Sequence, residues 1–245
     1  AGIYVMENTR LKIAVQKSGR LAERSLDLLS KSGITLEKSK DQLLCRAQNF
    51  PLDVLMVRDD DIPAFVATDV CQLGIVGENV LLETQARSEN GSFARLETII
   101  KLGFGRCRLS LAAPNEVAYA DLNFFNGKTI ATSYKGLLAQ YLQKQNIDAK
   151  IVTMRGAVEI APKTQLADAI CDLVSTGSTL VSNGLKEVET ILNSQAVLIK
   201  NPDIPDNLNH ISTRVITRMN AVLKARNSRY IVLHAPVNML DEIKA

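Results

Sequence analysis

Short apolar runs, each emptying into a polar turn and then a helical pattern, recur along this 245-residue chain. Few folds accept that alternation: the runs become strands of a largely parallel sheet, and the helices cover its faces. Residues 11–15 form the first such run, and Lys17-Ser18-Gly19-Arg20 follow it. Leu21, Leu26, Leu28 and Leu29 then mark one face of a helix that Gly33 should stop. Residues 52–57 predict a second strand, followed by Arg58, Asp59, Asp60 and Asp61. Asp61 is placed to cap a helix whose first turn accepts Pro63. Residues 73–76 predict a third, ending at Gly77-Glu78-Asn79.

Beyond a polar loop at 86–94, two strand-like runs at 96–102 and 107–112 flank Gly103-Phe104-Gly105, where the chain is expected to cross into a second lobe. Strands at 128–132, 150–153 and 168–174 and a helix ending near Gln145 build that lobe. Residues 189–192 and 196–199 read as the return crossing, followed by an amphipathic helix over 208–226, a strand at 230–234 and a short helix to 244. The expected division is 1–104 with 190–228 as one lobe and 105–189 as the other. Two α/β lobes joined by two crossings make a clamshell, and ligands of such sheets bind in the crevice at the carboxyl ends of strands.

Composition narrows the chemistry. Apolar residues are 46% of the chain, enough for a sizeable core. The 29 basic residues are scattered among 26 acids, without a basic block interleaved with aromatics, so nucleic acid is not an expected partner. No apolar run is long enough to span a bilayer and no leader pattern is visible, which predicts a cytoplasmic protein. Met6 reads as the natural initiator, with residues 1–5 as a remnant. Cys45, Cys71, Cys107 and Cys171 lie far apart, as buried reduced thiols do. His210 and His234 are the only histidines and read as non-catalytic, so a triad or a histidine zinc site is poorly supplied. Chemistry here should rest on positioning and electrostatics.

The run from Asp168 to Leu180 carries the strongest chemical signal. A strand bearing Asp168 and Asp172 ends in Ser175-Thr176-Gly177-Ser178-Thr179, with a helix opening just after. The N–H groups of such a turn converge on an anion, the four hydroxyls add donors, and Gly177 admits a close backbone approach. Carboxylates beside it suit ribose hydroxyls or Mg²⁺. A sugar phosphate answers both halves, although an ordinary capped strand-to-helix turn has the same composition.

Four blocks, residues 8–21 (Asn-Thr-Arg-Leu-Lys-Ile-Ala-Val-Gln-Lys-Ser-Gly-Arg-Leu), 57–63 (Val-Arg-Asp-Asp-Asp-Ile-Pro), 73–79 (Leu-Gly-Ile-Val-Gly-Glu-Asn) and 166–180, resemble ATP phosphoribosyltransferase in order and spacing. The resemblance implies a two-lobed clamshell like the type II periplasmic binding proteins. It also implies attack of adenine N1 of ATP on C1 of 5-phosphoribosyl 1-diphosphate in histidine biosynthesis, with Mg²⁺ bound mainly through substrate phosphates. It would place Ser175, Thr176, Gly177, Ser178 and Thr179 on the ribose 5′-phosphate, and Asp168 and Asp172 on ribose hydroxyls or Mg²⁺, with Asp172 favoured. Glu159 would serve the ribose or be a solvated acid at a helix start. Lys17, Gly19, Arg20 and Arg58 would meet the diphosphate or ATP phosphates, Arg58 oriented by Asp59 or Asp60. Glu78 would face the cleft or cap a helix, and Tyr134 would stack on adenine or be merely half-buried. Residues 229–245 would be a remnant of the long form's regulatory domain, which implies a homodimer through the first lobe and loss of histidine inhibition. A non-catalytic two-lobed binding protein is the rival reading, because a fold does not fix a function.

Overall fold

The computed structural model describes residues 9–37, 43–229, 232, 234 and 236–239. Met6, the first residue of the Asn8 block, and most of the strand and helix expected after residue 229 lie outside the described residues.

The first lobe is built from β1 (Leu11–Gln16), α1 (Ala22–Lys31), β2 (Leu44–Arg46), β3 (Leu52–Val57), α2 (Ile62–Ala67), β4 (Leu73–Gly77), α3 (Glu78–Arg87) and β5 (Glu97–Lys101). The second follows with β6 (Cys107–Pro114), β7 (Thr129–Thr132), α4 (Lys135–Lys144), β8 (Lys150–Thr153), β9 (Ala169–Val174), α5 (Ser178–Ser182) and β10 (Leu185–Ser194). The chain returns through β11 (Ala196–Lys200) and ends its described helices with α6 (Asp206–Arg226).

Two sheets result, ordered β2-β3-β1-β4-β11-β5 and β10-β6-β9-β7-β8. Each has a parallel centre, β3-β1-β4 in one and β8-β7-β9 in the other. The first strand after each crossing, β6 or β11, runs antiparallel to its neighbours. The alternation expected from the sequence is therefore realised as two parallel cores with antiparallel insertions at the crossings. The expected return at residue 190 falls inside β10, whose pairing with β6 continues to Ser194 through two bulges.

Each sheet is covered on both faces, as parallel strands require. Leu11, Ile13, Val15, Leu52, Val54, Leu73 and Ile75 pack under α1 and α6, while Ala14, Val76, Val197 and Ile199 face α2 and α3. In the second lobe Leu109, Leu111, Ile130 and Phe125 pack with α4, and Ile170, Val174 and Ala112 pack with Leu180 of α5. Truncating the fully buried Phe125 to alanine would cost about 3–5 kcal/mol.

The two crossing segments hold each other. Leu102 N–H donates to Ala196 O and Ala196 N–H to Phe104 O, both at 2.9 Å. Behind them α3 of the first lobe docks on α4 of the second. The Glu83 carboxylate accepts N–H bonds from Gly136 and Leu137, each at 2.8 Å, and so caps a helix of the other lobe. Gly136 allows this approach: a Cβ there would stand 2.9 Å from Ala86 Cβ and from Arg87 Cγ.

Candidate active site

The carboxyl ends of β1, β3, β4 and β9 open onto the cleft between the sheets. A cavity of about 300 Å³ lies there, walled by Gln16, Arg20, Leu21, Asp59, Gly77, Asn79 and Val80 from the first lobe and Leu173 from the second. Leu173 also lines an adjoining hollow of about 170 Å³ formed by Glu159, Asp172 and the turn from Ser175 to Leu180.

That hollow is formed by the turn that the sequence reading marks as a candidate anion cradle. Gly177 holds φ at +86°, the left-handed conformation that lets the chain fold back from β9 into α5. Thr176 Oγ1 and Ser178 Oγ stand 3.0 Å apart. Ser175, Thr176, Ser178 and Thr179 are all exposed. Their hydroxyls and the turn's N–H groups can therefore meet an anion.

Asp172 enters the hollow from β9, with Leu173 N–H donating to its Oδ1 at 2.8 Å. Burial pushes its carboxyl above the usual carboxylate range, partly offset by that hydrogen bond, and the nearby charge of Glu159 pushes it further up. Glu159 stands in a 3-10 turn, Val158–Ile160, on the same hollow. The structure thus brings Asp172, Glu159 and the cradle together.

Arg20 reaches the cradle from the opposite lobe. Its Nη1 donates to Ser175 Oγ and its Nη2 to Cys107 Sγ, both at 3.2 Å. The turn that carries it is tied down by Gln16, whose Oε1 accepts Leu21 N–H at 2.9 Å, and by Lys17 N–H donating to Val57 O at 2.7 Å. Gly19 leaves room for the Gln16 amide, since a Cβ there would lie 2.7 Å from its nitrogen. Lys17 is exposed beside it. Arg58 is also exposed, 3.9 Å from Asp60. Asp59 accepts Asp60 N–H at 2.9 Å and lines the cavity, so of the two acids expected to orient Arg58 it is Asp60 that pairs with it.

Tyr134 sits at the head of α4, where its hydroxyl accepts a hydrogen bond from Asn79 Nδ2 at 2.8 Å. Burial pushes its phenol far above the ordinary range, so it stays protonated. Asn79 in turn accepts from Ser194 Oγ at 2.9 Å, linking α3, the return crossing and α4 in one buried network.

Three acids stand apart from the cradle, each in its own setting. Asp168 lies at the other end of β9 from the cradle, where its carboxylate accepts Thr129 N–H at 2.8 Å and lines a separate hollow with Lys128 and Phe124. Its even offset from Asp172 sets the face of the strand, but four residues also carry it about 13 Å away. Glu78 opens α3 with its carboxylate 3.9 Å from Lys101 Nζ, and its neighbours Gly77 and Asn79 line the cavity without it. Asp61 precedes α2 without a side-chain capping bond, because a 3-10 turn, Asp59–Asp61, runs straight into the helix.

A model of the ATP phosphoribosyltransferase family matches residues 58–221. The chain belongs to the ATP phosphoribosyltransferase family. Enzymes of this family are pentosyltransferases of histidine biosynthesis. A chain of the ATP phosphoribosyl transferase (HisG:HisZ) complex from Thermotoga maritima superposes with a TM-score of 0.73 at 26% identity, over 88% of this chain and 99% of that one. The periplasmic sulfonate-binding protein SsuA of Methylobacillus flagellatus superposes at TM-score 0.58 and 14% identity, over 89% of this chain and 69% of that one. The alkanesulfonate-binding SsuA of Xanthomonas axonopodis gives 0.52 and 16%, over 89% and 75%. These two share the fold, a type II periplasmic-binding-protein-like clamshell. The family match takes in Arg58, Asp59, Tyr134, Glu159, Asp172 and the cradle, while Lys17, Gly19 and Arg20 precede it.

The donor set has a bearing on a divalent cation. Among the described residues no group of three His, Cys, Asp or Glu side chains stands close enough to hold a metal ion. Asp172 and Glu159 offer two carboxylates at the cradle. Mg²⁺ asks for few protein ligands and takes the rest of its octahedron from water and phosphate oxygens, so these residues fit an ion that arrives with a polyphosphate. The sequence reading missed Asn79, Gln16, Arg108 and Glu187. Only the alternation of polar Arg108 and Ser110 with apolar Leu109 and Leu111 hinted at a polar face.

Proposed function

We propose that this cleft transfers a phosphoribosyl group to ATP. Adenine N1 attacks C1 of 5-phosphoribosyl 1-diphosphate, the C1–O bond breaks, and its electron pair leaves on diphosphate, giving 1-(5-phospho-β-D-ribosyl)-ATP. Adenine N1 is already a lone-pair nucleophile, so the site needs no strong base. Holding the two reactants in line and stabilising the departing negative charge suffices. A site with few titrating groups and several cations suits that demand.

The observation that carries the reading is the meeting of Arg20 with Ser175 across the cleft, beside Asp172 and Glu159. Ser175, Thr176, Gly177, Ser178 and Thr179 take the 5′-phosphate. Asp172, with Glu159 next to it, accepts hydrogen bonds from the ribose hydroxyls. Arg20, Lys17 and Arg58, with the Gly19 turn beneath them, face the diphosphate and the ATP phosphates. Tyr134 and Asn79 close the back of the adenine side, and Asp59 lines it. Asp172 and Glu159 would also hold Mg²⁺, which when bound with diphosphate neutralises the leaving charge. Asp168 and Glu78, standing outside the hollow, have no part in this scheme.

The first lobe is proposed to pair with a second copy of the chain, and the protein to work in the cytoplasm. Among the described residues no helix is long and apolar enough to cross a membrane.

An ATP analogue with a C–H group in place of adenine N1 tests the reaction. With 5-phosphoribosyl 1-diphosphate and Mg²⁺, ATP should yield the adduct and the analogue should bind without yielding it. An adduct from the analogue would overturn attack by N1.

A further inference from the structure

The cradle is held from behind by a side chain that spends its donors on the protein. Arg108, on β6 beside β9, turns Nε and Nη2 to the two carboxylate oxygens of Glu187 on β10, the latter pair at 2.6 Å. Its Nη1 donates to the backbone carbonyl of Ser175 at 3.2 Å. Ser110 Oγ and Thr190 Oγ1 donate to the same Glu187 oxygen at 2.7 and 3.3 Å. The bulge after Glu187 interrupts the β10–β6 register next to this cluster. Arg108 is one-third exposed and Glu187 one-quarter, so the fork is partly shielded from solvent.

The Ser175 carbonyl belongs to the same planar peptide as the Thr176 N–H. In a trans peptide the two point in opposite directions, so fixing the carbonyl aims the N–H. A bidentate guanidinium fixes direction as well as distance. Arg20 donates to the hydroxyl of the same serine from the other lobe, so both lobes contact Ser175.

We propose that Arg108, oriented by Glu187, is a positioning residue for the phosphate cradle, setting the Ser175–Thr176 peptide and through it the grip on the ribose 5-phosphate. The inference rests on the phosphoribosyl reading of the cradle. It differs in sign from a simple field effect. Removing the Glu187 charge near an anion site would tighten anion binding if charge alone mattered. If Glu187 acts by orienting Arg108, removing its charge weakens binding instead.

The test is titration calorimetry of the full chain with ribose 5-phosphate and, separately, with ATP. Glu187→Gln and Arg108→Lys should each weaken ribose 5-phosphate binding about tenfold, the scale of one charge-assisted hydrogen bond. ATP binding should be unchanged, whereas a merely structural role would weaken both ligands alike. The double variant should be no weaker than the worse single one, because the two act as a unit. Arg108→Lys keeps the charge and loses the fork, and it carries the test alone if Glu187→Gln melts early. Variants that bind ribose 5-phosphate as tightly as the wild type, or more tightly, would overturn the proposal. A wild-type chain that binds no ribose 5-phosphate would instead overturn the cradle reading beneath it.

Discussion

Arg20 Nη1 donates to Ser175 Oγ at 3.2 Å, so a turn of one lobe touches the cradle of the other. The two residues are 155 positions apart in sequence and come together because the chain crosses from the first sheet to the second between them. On the proposed reading, a cation delivered to the cradle in this way would serve transfer only while the lobes are apposed.

Arg20→Ala should therefore lower kcat/KM by about 100-fold, the scale of a lost transition-state charge contact. Ser175→Ala, which keeps the backbone carbonyl and its bond from Arg108, should cost less. Steady-state kinetics with both substrates varied would check the ranking; equal losses would show that the hydroxyl, not the cation, dominates.

Asp172 should govern the acid side of the pH profile. Its carboxyl is pushed above the ordinary 3.8 by burial first and by Glu159 among the lesser causes. As pH falls through that raised value it gains a proton and loses its power to accept from ribose hydroxyls. kcat/KM for 5-phosphoribosyl 1-diphosphate should fall over that window, and Asp172→Asn should be slower by about 100-fold and lack that limb. A variant that keeps the acid limb would assign it to another group.

Glu83 couples the lobes by capping α4 from α3. Burial raises its pKa above the ordinary 4.5, so between the two values the folded chain binds more protons than the unfolded one. Stability should thus fall as pH rises through that window. Glu83→Gln should flatten the fall, and Glu83→Ala should cost about 1–2 kcal/mol by leaving two N–H groups uncapped. Urea midpoints measured across pH would check both, and an unchanged slope in Glu83→Gln would contradict the assignment.

Gly177 has open space where a Cβ would go and a φ of +86°. Gly177→Ala should therefore suffer from backbone strain alone, about 1–2 kcal/mol, while Gly177→Asn should recover much of it. Thermal melts would rank the two. Equal losses would mean the turn does not need its left-handed residue.

Much of this was legible in the chain. Strands Leu52–Val57 and Lys150–Thr153 match the expected runs residue for residue, and the strand-to-helix turn at 175–179 falls between β9 and α5 as the pattern implies. Alternation puts Asp168 and Asp172 on one face of the strand, and distance along the strand favours Asp172 as the one near the cradle; Asp168 indeed lies at the far end of β9, bonded to Thr129 N–H. Residues 189–192, expected as part of the return crossing, belong to β10 of the second lobe, because Lys-Glu-Val-Glu-Thr-Ile-Leu mixes polar and apolar residues around two bulges and hides the period of two. The three-residue β2 is too short to announce itself. Arg108 and Glu187 are 79 positions apart and Asn79 and Tyr134 55 apart, pairings that only the tertiary fold creates.

The most direct test of the account is to mix the chain with ATP, 5-phosphoribosyl 1-diphosphate, Mg²⁺ and pyrophosphatase, and to look by mass spectrometry for the phosphoribosyl-ATP adduct. Pyrophosphatase removes diphosphate and pulls the transfer forward. The account predicts an adduct from the wild type and a marked loss with Arg20→Ala. No adduct from a chain that binds both substrates would contradict it.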